Sequence, residues 1–153
     1  MKISCMILLS LVFAVSCRTL GEGTNNNGKR ISNQVSGKEI TEKRWNLSLI
    51  GGEPVDWKGE INRQPHIVLT KVDKKFFGSG GCNSLSGSYN LRKGGSISFI
   101  RIGSTKMACL QMNPEKQLLE VLLKTDRYIT DGLILELYSK DVLLARFVAT
   151  GPE

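Results

Sequence analysis

Four cysteines, one histidine and a run of glycine and serine are where chemistry could arise in these 153 residues. The densest stretch runs from Gly78 to Cys109, reading GSGGCNSLSGSYNL, then SISFIRI, then GSTKMAC. It holds Cys82 and Cys109. Two thiols can bond to each other, stay buried and inert, or serve as a nucleophile or redox couple; the C-x-x-C spacing that favours redox work is absent. His66 stands alone, and a zinc site needs several ligands, so no metal is expected. It follows Pro65 at a strand start and reads as structural. No nucleophile-elbow motif supports serine catalysis. Glu115 and Glu120 read as helix-dipole and surface charges. Asn83 and Ser86 suit turn or strand-end backbone groups, with ligand binding as the alternative. Trp57, on a polar loop, is an aromatic that packing explains less easily, so Trp57 and Asn83 are the candidate partner contacts. Catalytic, cofactor-binding and metal residues are expected to be none.

The N-terminus carries an address. Lys2 precedes Met6–Val15, apolar except for Ser10, as in a secretory signal. The run is far short of the ~20 residues a membrane-spanning helix requires. Ala14-Val15-Ser16-Cys17 follows and resembles the bacterial lipobox, with Ala14 where leucine is usual. The expectation is a lipoprotein signal over residues 1–16 and an acylated, palmitate-bearing Cys17; an ordinary cleaved signal is the alternative. Two or three acyl chains anchor a protein persistently where one does not. Arg18 follows the cysteine instead of aspartate. By resemblance to enterobacterial lipoproteins, this points to the outer membrane of the cell envelope.

Positioning any of these residues requires a folded domain. Apolar residues make up 41% and charged residues 23%, so a core is expected. Sixteen glycines against four prolines fit a β-rich chain better than a helical bundle. The net charge of +7 comes without a long basic run or a basic stripe interleaved with aromatics. The expected partners therefore exclude nucleic acid, while an anionic membrane surface fits the sign of the charge. Residues 17–43 are rich in Gly, Asn and Ser with no apolar period, and read as a flexible tether. As a random coil it spans about 28 Å. A short strand over Ile31–Val35 is the alternative.

The remainder reads as short strands and one helix. WNLSLI, Trp45–Ile50, alternates with Trp45, Leu47 and Leu49 on one face. A polar loop runs from Glu53 to Gln64. HIVLTKV, Phe76–Gly81, Ser86–Leu91 and Ile97–Ile102 follow as strands, with a hairpin turn at Lys93-Gly94-Gly95. Asn113 caps and Pro114 opens a helix through Lys124, apolar at Leu118, Leu119, Val121, Leu122 and Leu123. Asp131-Gly132 turns the next hairpin, and Val142–Ala149 closes the chain as a strand. The fold class is mainly β: a single compact β-barrel-like domain, a strongly curved antiparallel sheet, with one short α-helix over residues 44–150.

Trp45-Asn46-Leu47, Gly81-Cys82-Asn83, Ser86-Gly87-Ser88-Tyr89, Thr105-Lys106-Met107-Ala108-Cys109, Glu115 and the terminal LILELYSKDVLLARF resemble, in this order, the META domain, the family of the heat-shock lipoprotein HslJ. The resemblance covers roughly Arg44–Ala149. It implies a compact β-rich envelope domain with one helix, linked in some members to stress or antibiotic tolerance, and it implies no enzyme.

With Cys5 removed in the signal and Cys17 acylated, Cys82 and Cys109 remain. Export to an oxidising compartment favours a Cys82–Cys109 disulfide, with two buried free thiols and a reactive thiol as alternatives. The leading expectation is a non-enzymatic, membrane-anchored envelope lipoprotein that binds an envelope protein or ligand. A lipocalin-like carrier of a small apolar molecule is the alternative. Interior volume separates them: a core filled by Trp45, Phe99, Leu135 and Phe147 argues against a carrier.

Overall fold

The computed structural model describes residues 39–55, 63–108 and 113–150, all within one contact unit, residues 32–153. Strand β1 (Arg44–Ile50) begins the sheet. Its inward residues are Trp45, Leu47 and Ile50, not Leu49 as simple alternation predicts. The pairing explains the change. Opposite β9, the register steps from Leu47↔Phe147 to Leu49↔Arg146, a bulge that adds one residue to β1. One extra residue reverses which face the following side chains take.

Gly51 and Gly52, at φ 59° and 92°, turn the chain into the two-residue strand β2 (Glu53–Pro54), where a loop was expected. β3 (His66–Leu69) is shorter than HIVLTKV suggests, because Lys71–Asp73 form a turn. There the Thr70 hydroxyl donates to the Asp73 carboxylate. β4 (Lys75–Ser79), β5 (Ser84–Arg92) and β6 (Ser96–Ser104) follow as a meander. Helix α1 (Asn113–Lys124) interrupts it, and β7 (Arg127–Thr130), β8 (Ile134–Ser139) and β9 (Val142–Thr150) complete the chain.

The strands form one antiparallel sheet in the order β2-β1-β3-β4-β5-β6-β7-β8-β9, and β1 also pairs with β9. The sheet therefore curves into a ring. Its thinnest seam is β6–β7, where Ser96↔Arg127 is the single registered pair. Helix α1 lies in the connection across this seam and contacts β6 and β8. Leu118, Val121 and Leu122 project from it into the core. Their i, i+3, i+4 spacing is the stripe an amphipathic helix buries.

The ring interior is filled. Trp45, Phe99, Leu135 and Phe147 are all buried, together with Leu47, Ile67, Leu69, Phe76, Leu85, Tyr89, Ile97 and Leu137. Phe76 and Phe99 meet edge to face, 5.2 Å apart at 86°. The polar ends of the two largest residues are satisfied: Trp45 Nε1 donates to Ile40 O at 2.8 Å, and Tyr89 OH to Thr70 O at 2.8 Å. Full burial of such side chains contributes about 1.5–3 kcal/mol each.

Composition assigns residues 39–43 to the spacer, yet they pack onto the sheet. Ile40 and Thr41 are buried, Glu42 N donates to Leu69 O at 2.8 Å, and Lys43 Nζ donates to Gly132 O at 3.1 Å. The rest of the expected spacer, the signal and Cys17 lie outside the described residues.

Candidate functional site

The Gly78–Met107 signature folds into a polar knot with a buried centre. Asn83 is fully buried. Its Oδ1 accepts from Thr105 Oγ1 and from Met107 N, both at 2.8 Å. Its backbone N–H donates to Glu115 Oε2 at 2.9 Å, and its carbonyl accepts from Gly80 N at 2.9 Å. One residue thus ties the β4–β5 turn, the segment after β6 and the first turn of α1. The Met107 amide can only donate, so the side-chain oxygen must face it. That orientation leaves Asn83 Nδ2 buried without a hydrogen-bond partner.

Glycine makes the knot possible. A Cβ on Gly80 would lie 2.5 Å from Glu115 Cγ, and one on Gly78 would lie 2.0 Å from His66 O. A side chain at Gly78 would collide with the β3 backbone, and one at Gly80 with the stem of Glu115. Glu115 is only 4% exposed and serves as an acceptor inside the protein. Glu115 does sit in the first turn of α1, where its charge suits the helix dipole, but the expected surface position is corrected: the glycine-lined β4–β5 turn lets the helix approach closely enough to bury the carboxylate. Glu120 does sit on the surface, 3.3 Å from Lys124 Nζ, one helical turn on. Asn83 meets the protein itself and offers no surface to a partner.

The surface offers a different feature. A groove of about 550 Å³ crosses the outer side of β1, β3 and β4 and the β7–β8 turn. Phe77 and Leu133 line it and are 50% and 69% exposed. Val68 and Ala149 add apolar surface, and Lys43, Arg44 and His66 add polar groups. The strand register places Phe77, Val68, Arg44 and Thr150 in one row across four strands. Arg44 Nε donates to Asn46 Oδ1 at 3.1 Å, and His66 Nδ1 lies 2.8 Å from Gln64 O. Both side chains are therefore held by their own strands or loops.

Comparison with known proteins fits this geometry. A model of the META domain matches residues 38–150. The chain belongs to the META domain family. No curated protein sequence matches it. Solved structures share the fold. An NMR structure of a protein from Burkholderia xenovorans superposes with a TM-score of 0.60 at 22% identity, covering 74% of this chain and 85% of that one. A second NMR structure gives 0.56 at 20% identity, covering 71% and 91%. The crystal structure of a DUF4847 family protein from Bacteroides vulgatus gives 0.52 at 15% identity, covering 74% and 96%.

Within this META domain the candidate residues do not converge on one centre. Asn83 lies in the knot and His66 at the groove. Trp57, Cys17 and Cys109 lie outside the described residues, and Cys82 is half-buried at the β4–β5 turn. Among the described residues no group of three His, Cys, Asp or Glu side chains could hold a metal ion, and no helix is long and apolar enough to cross a membrane. The perturbed titrations belong to structural contacts. Burial, then the hydrogen bond to Glu136, pushes Tyr138 up to about 12. The Thr41 hydroxyl, then Lys71, lowers Glu39, and the Thr70 hydroxyl lowers Asp73. Sequence reasoning missed Phe77 and Leu133. The Phe76-Phe77 pair was the available signal, since neighbours in a strand take opposite faces and one phenyl ring must point outward.

Proposed function

We propose that this META domain protein is a non-enzymatic bacterial envelope lipoprotein, a binding or stress-tolerance module held at the outer membrane. Residues 1–16 are removed as its signal, Cys17 carries the acyl chains, and the chain up to residue 38 is the spacer. Cys82 pairs with Cys109; Cys82 is disulfide-bonded, which supports this pairing. The observation that carries the binding role is the contrast between a filled interior and an outer groove with exposed Phe77 and Leu133. A carrier of a small apolar ligand needs a lined interior cavity. The buried Trp45, Phe99, Leu135 and Phe147 occupy that space, which supports the groove rather than the interior as the contact surface.

The test is crosslinking in intact cells followed by mass spectrometry. Crosslinks should map to the groove strands, and the N-terminal peptide should begin at an acylated Cys17. A mature chain that retains residues 1–16 contradicts the lipoprotein reading. A small apolar molecule recovered from the ring interior contradicts the binding-module reading.

A further inference from the structure

We propose that the groove face rests on the lipid surface itself, with Phe77 and Leu133 in the interfacial layer and Lys43 and Arg44 toward anionic headgroups. This rests on the lipoprotein reading. Two observations select this face over the other apolar clefts. The first is where the chain enters and leaves. Glu42, Lys43 and Arg44 line the groove and are the fourth to sixth described residues, and Thr150, the last one, lines it too. The first described residue, Glu39, is thus three residues from the groove lining. The second is chemistry. An exposed phenyl ring and an exposed leucine flank the groove; beside them Lys43 and Arg44, each also hydrogen-bonded within the protein, outnumber the one acid, Glu42, and match an anionic surface in a chain of net charge +7. Aromatic and apolar side chains next to basic ones are what an interfacial contact uses.

Tethering makes such a small patch sufficient. A random coil of the length of residues 18–38 spans about 25 Å on average. The domain then stays near the bilayer, and docking becomes an intramolecular event with a high effective concentration. The face next to the tether's root also meets the membrane with the least reorientation. Val142, at the opposite end of β9 from Thr150, is 64% exposed and lies outside the groove.

The experiment uses the full acylated protein purified from cells and reconstituted into phosphatidylethanolamine–phosphatidylglycerol vesicles. Nitroxide labels are placed by Phe77→Cys, Leu133→Cys and, as a control, Val142→Cys. The ratio of oxygen to water-soluble nickel-complex collision rates reports lipid contact. That ratio should rise several-fold at positions 77 and 133 over position 142, and further with more phosphatidylglycerol. In a Leu133→Asp background the label at 77 should return to the aqueous value while the protein stays vesicle-bound. Equal, water-like ratios at all three positions overturn the proposal. Shielding at 77 that grows with protein density in the vesicles assigns the face to a second protein copy and also overturns it. Mass spectrometry of the same sample reads the acyl state of Cys17 separately. An unacylated chain whose labels still enter lipid sinks the anchor and keeps the docking; an acylated chain with water-exposed labels does the reverse.

Discussion

The knot around Asn83 and the groove beside Phe77 differ in almost every physical respect. The knot is polar, centred on the buried Asn83 and Glu115, and cross-linked by hydrogen bonds to three separate elements. The groove is open and largely apolar, and lies across the outside of strands whose other faces form the core. Part of the family signature, Asn83, Thr105, Met107 and Glu115, lies in the first. The residues able to touch something else lie in the second. A family signature can therefore record how a ring is held together while saying little about what it meets.

Adjacent residues on β4 give the sharpest test of this contrast. Phe76 is 1% exposed and packs on Phe99, whereas Phe77 is 50% exposed. Phe76→Ala should lower the unfolding free energy by about 3–5 kcal/mol, measured by urea titration. A loss near zero would mean the interior is not closely packed. Next in size is the staple beside the knot. Cys82→Ser should cost about 3.5 kcal/mol if the pair with Cys109 closes its loop in the oxidised protein. Equal stability of the variant and the oxidised parent would remove the disulfide from the account.

Asn83→Ala comes third, at about 1–3 kcal/mol, because the Met107 amide and the Thr105 hydroxyl lose their shared acceptor. The exposed side of β8 and β9 responds to pH instead. Tyr138 donates to Glu136 at 2.7 Å, and Arg146 holds the same carboxylate at 2.7 Å. With the Tyr138 phenol pushed up to about 12, its contribution is complete below its ordinary value of 10.0 and is lost as pH rises through 12. Absorbance titration should find that high midpoint, and Glu136→Gln should bring it down. The smallest effect belongs to the groove. Phe77→Ser should change stability by no more than about 0.5 kcal/mol while abolishing surface contact. A large destabilisation there would make the groove part of the core and erase the contrast.

Much of the fold was legible because turn chemistry and alternation are local. Pro114, the Asp131-Gly132 turn and the apolar spacing of α1 fixed the helix and the β7–β8 hairpin. Leu49 was misplaced because a bulge depends on the partner strand, and nothing within WNLSLI reveals it. Residues 39–43 look like spacer by composition, but the Ile40 carbonyl is the acceptor that lets Trp45 be buried, a contact between elements. The candidate site was half legible. Asn83 stood out through its glycine-rich setting, and its role as a buried tie depends on Thr105, Met107 and Glu115 arriving from elsewhere in the chain. The groove left only the Phe76-Phe77 doublet as a trace, because a surface assembled from four strands has no contiguous motif.

Native-state hydrogen exchange most directly tests whether the signature is structural. The amides of Asn83 and Met107 are bonded to Glu115 and to the Asn83 side chain, so both should exchange only through global unfolding, at the rate of the core strands. Exchange of these two amides at the rate of an exposed loop, with the core strands still protected, would show an opening site where a closed knot is described.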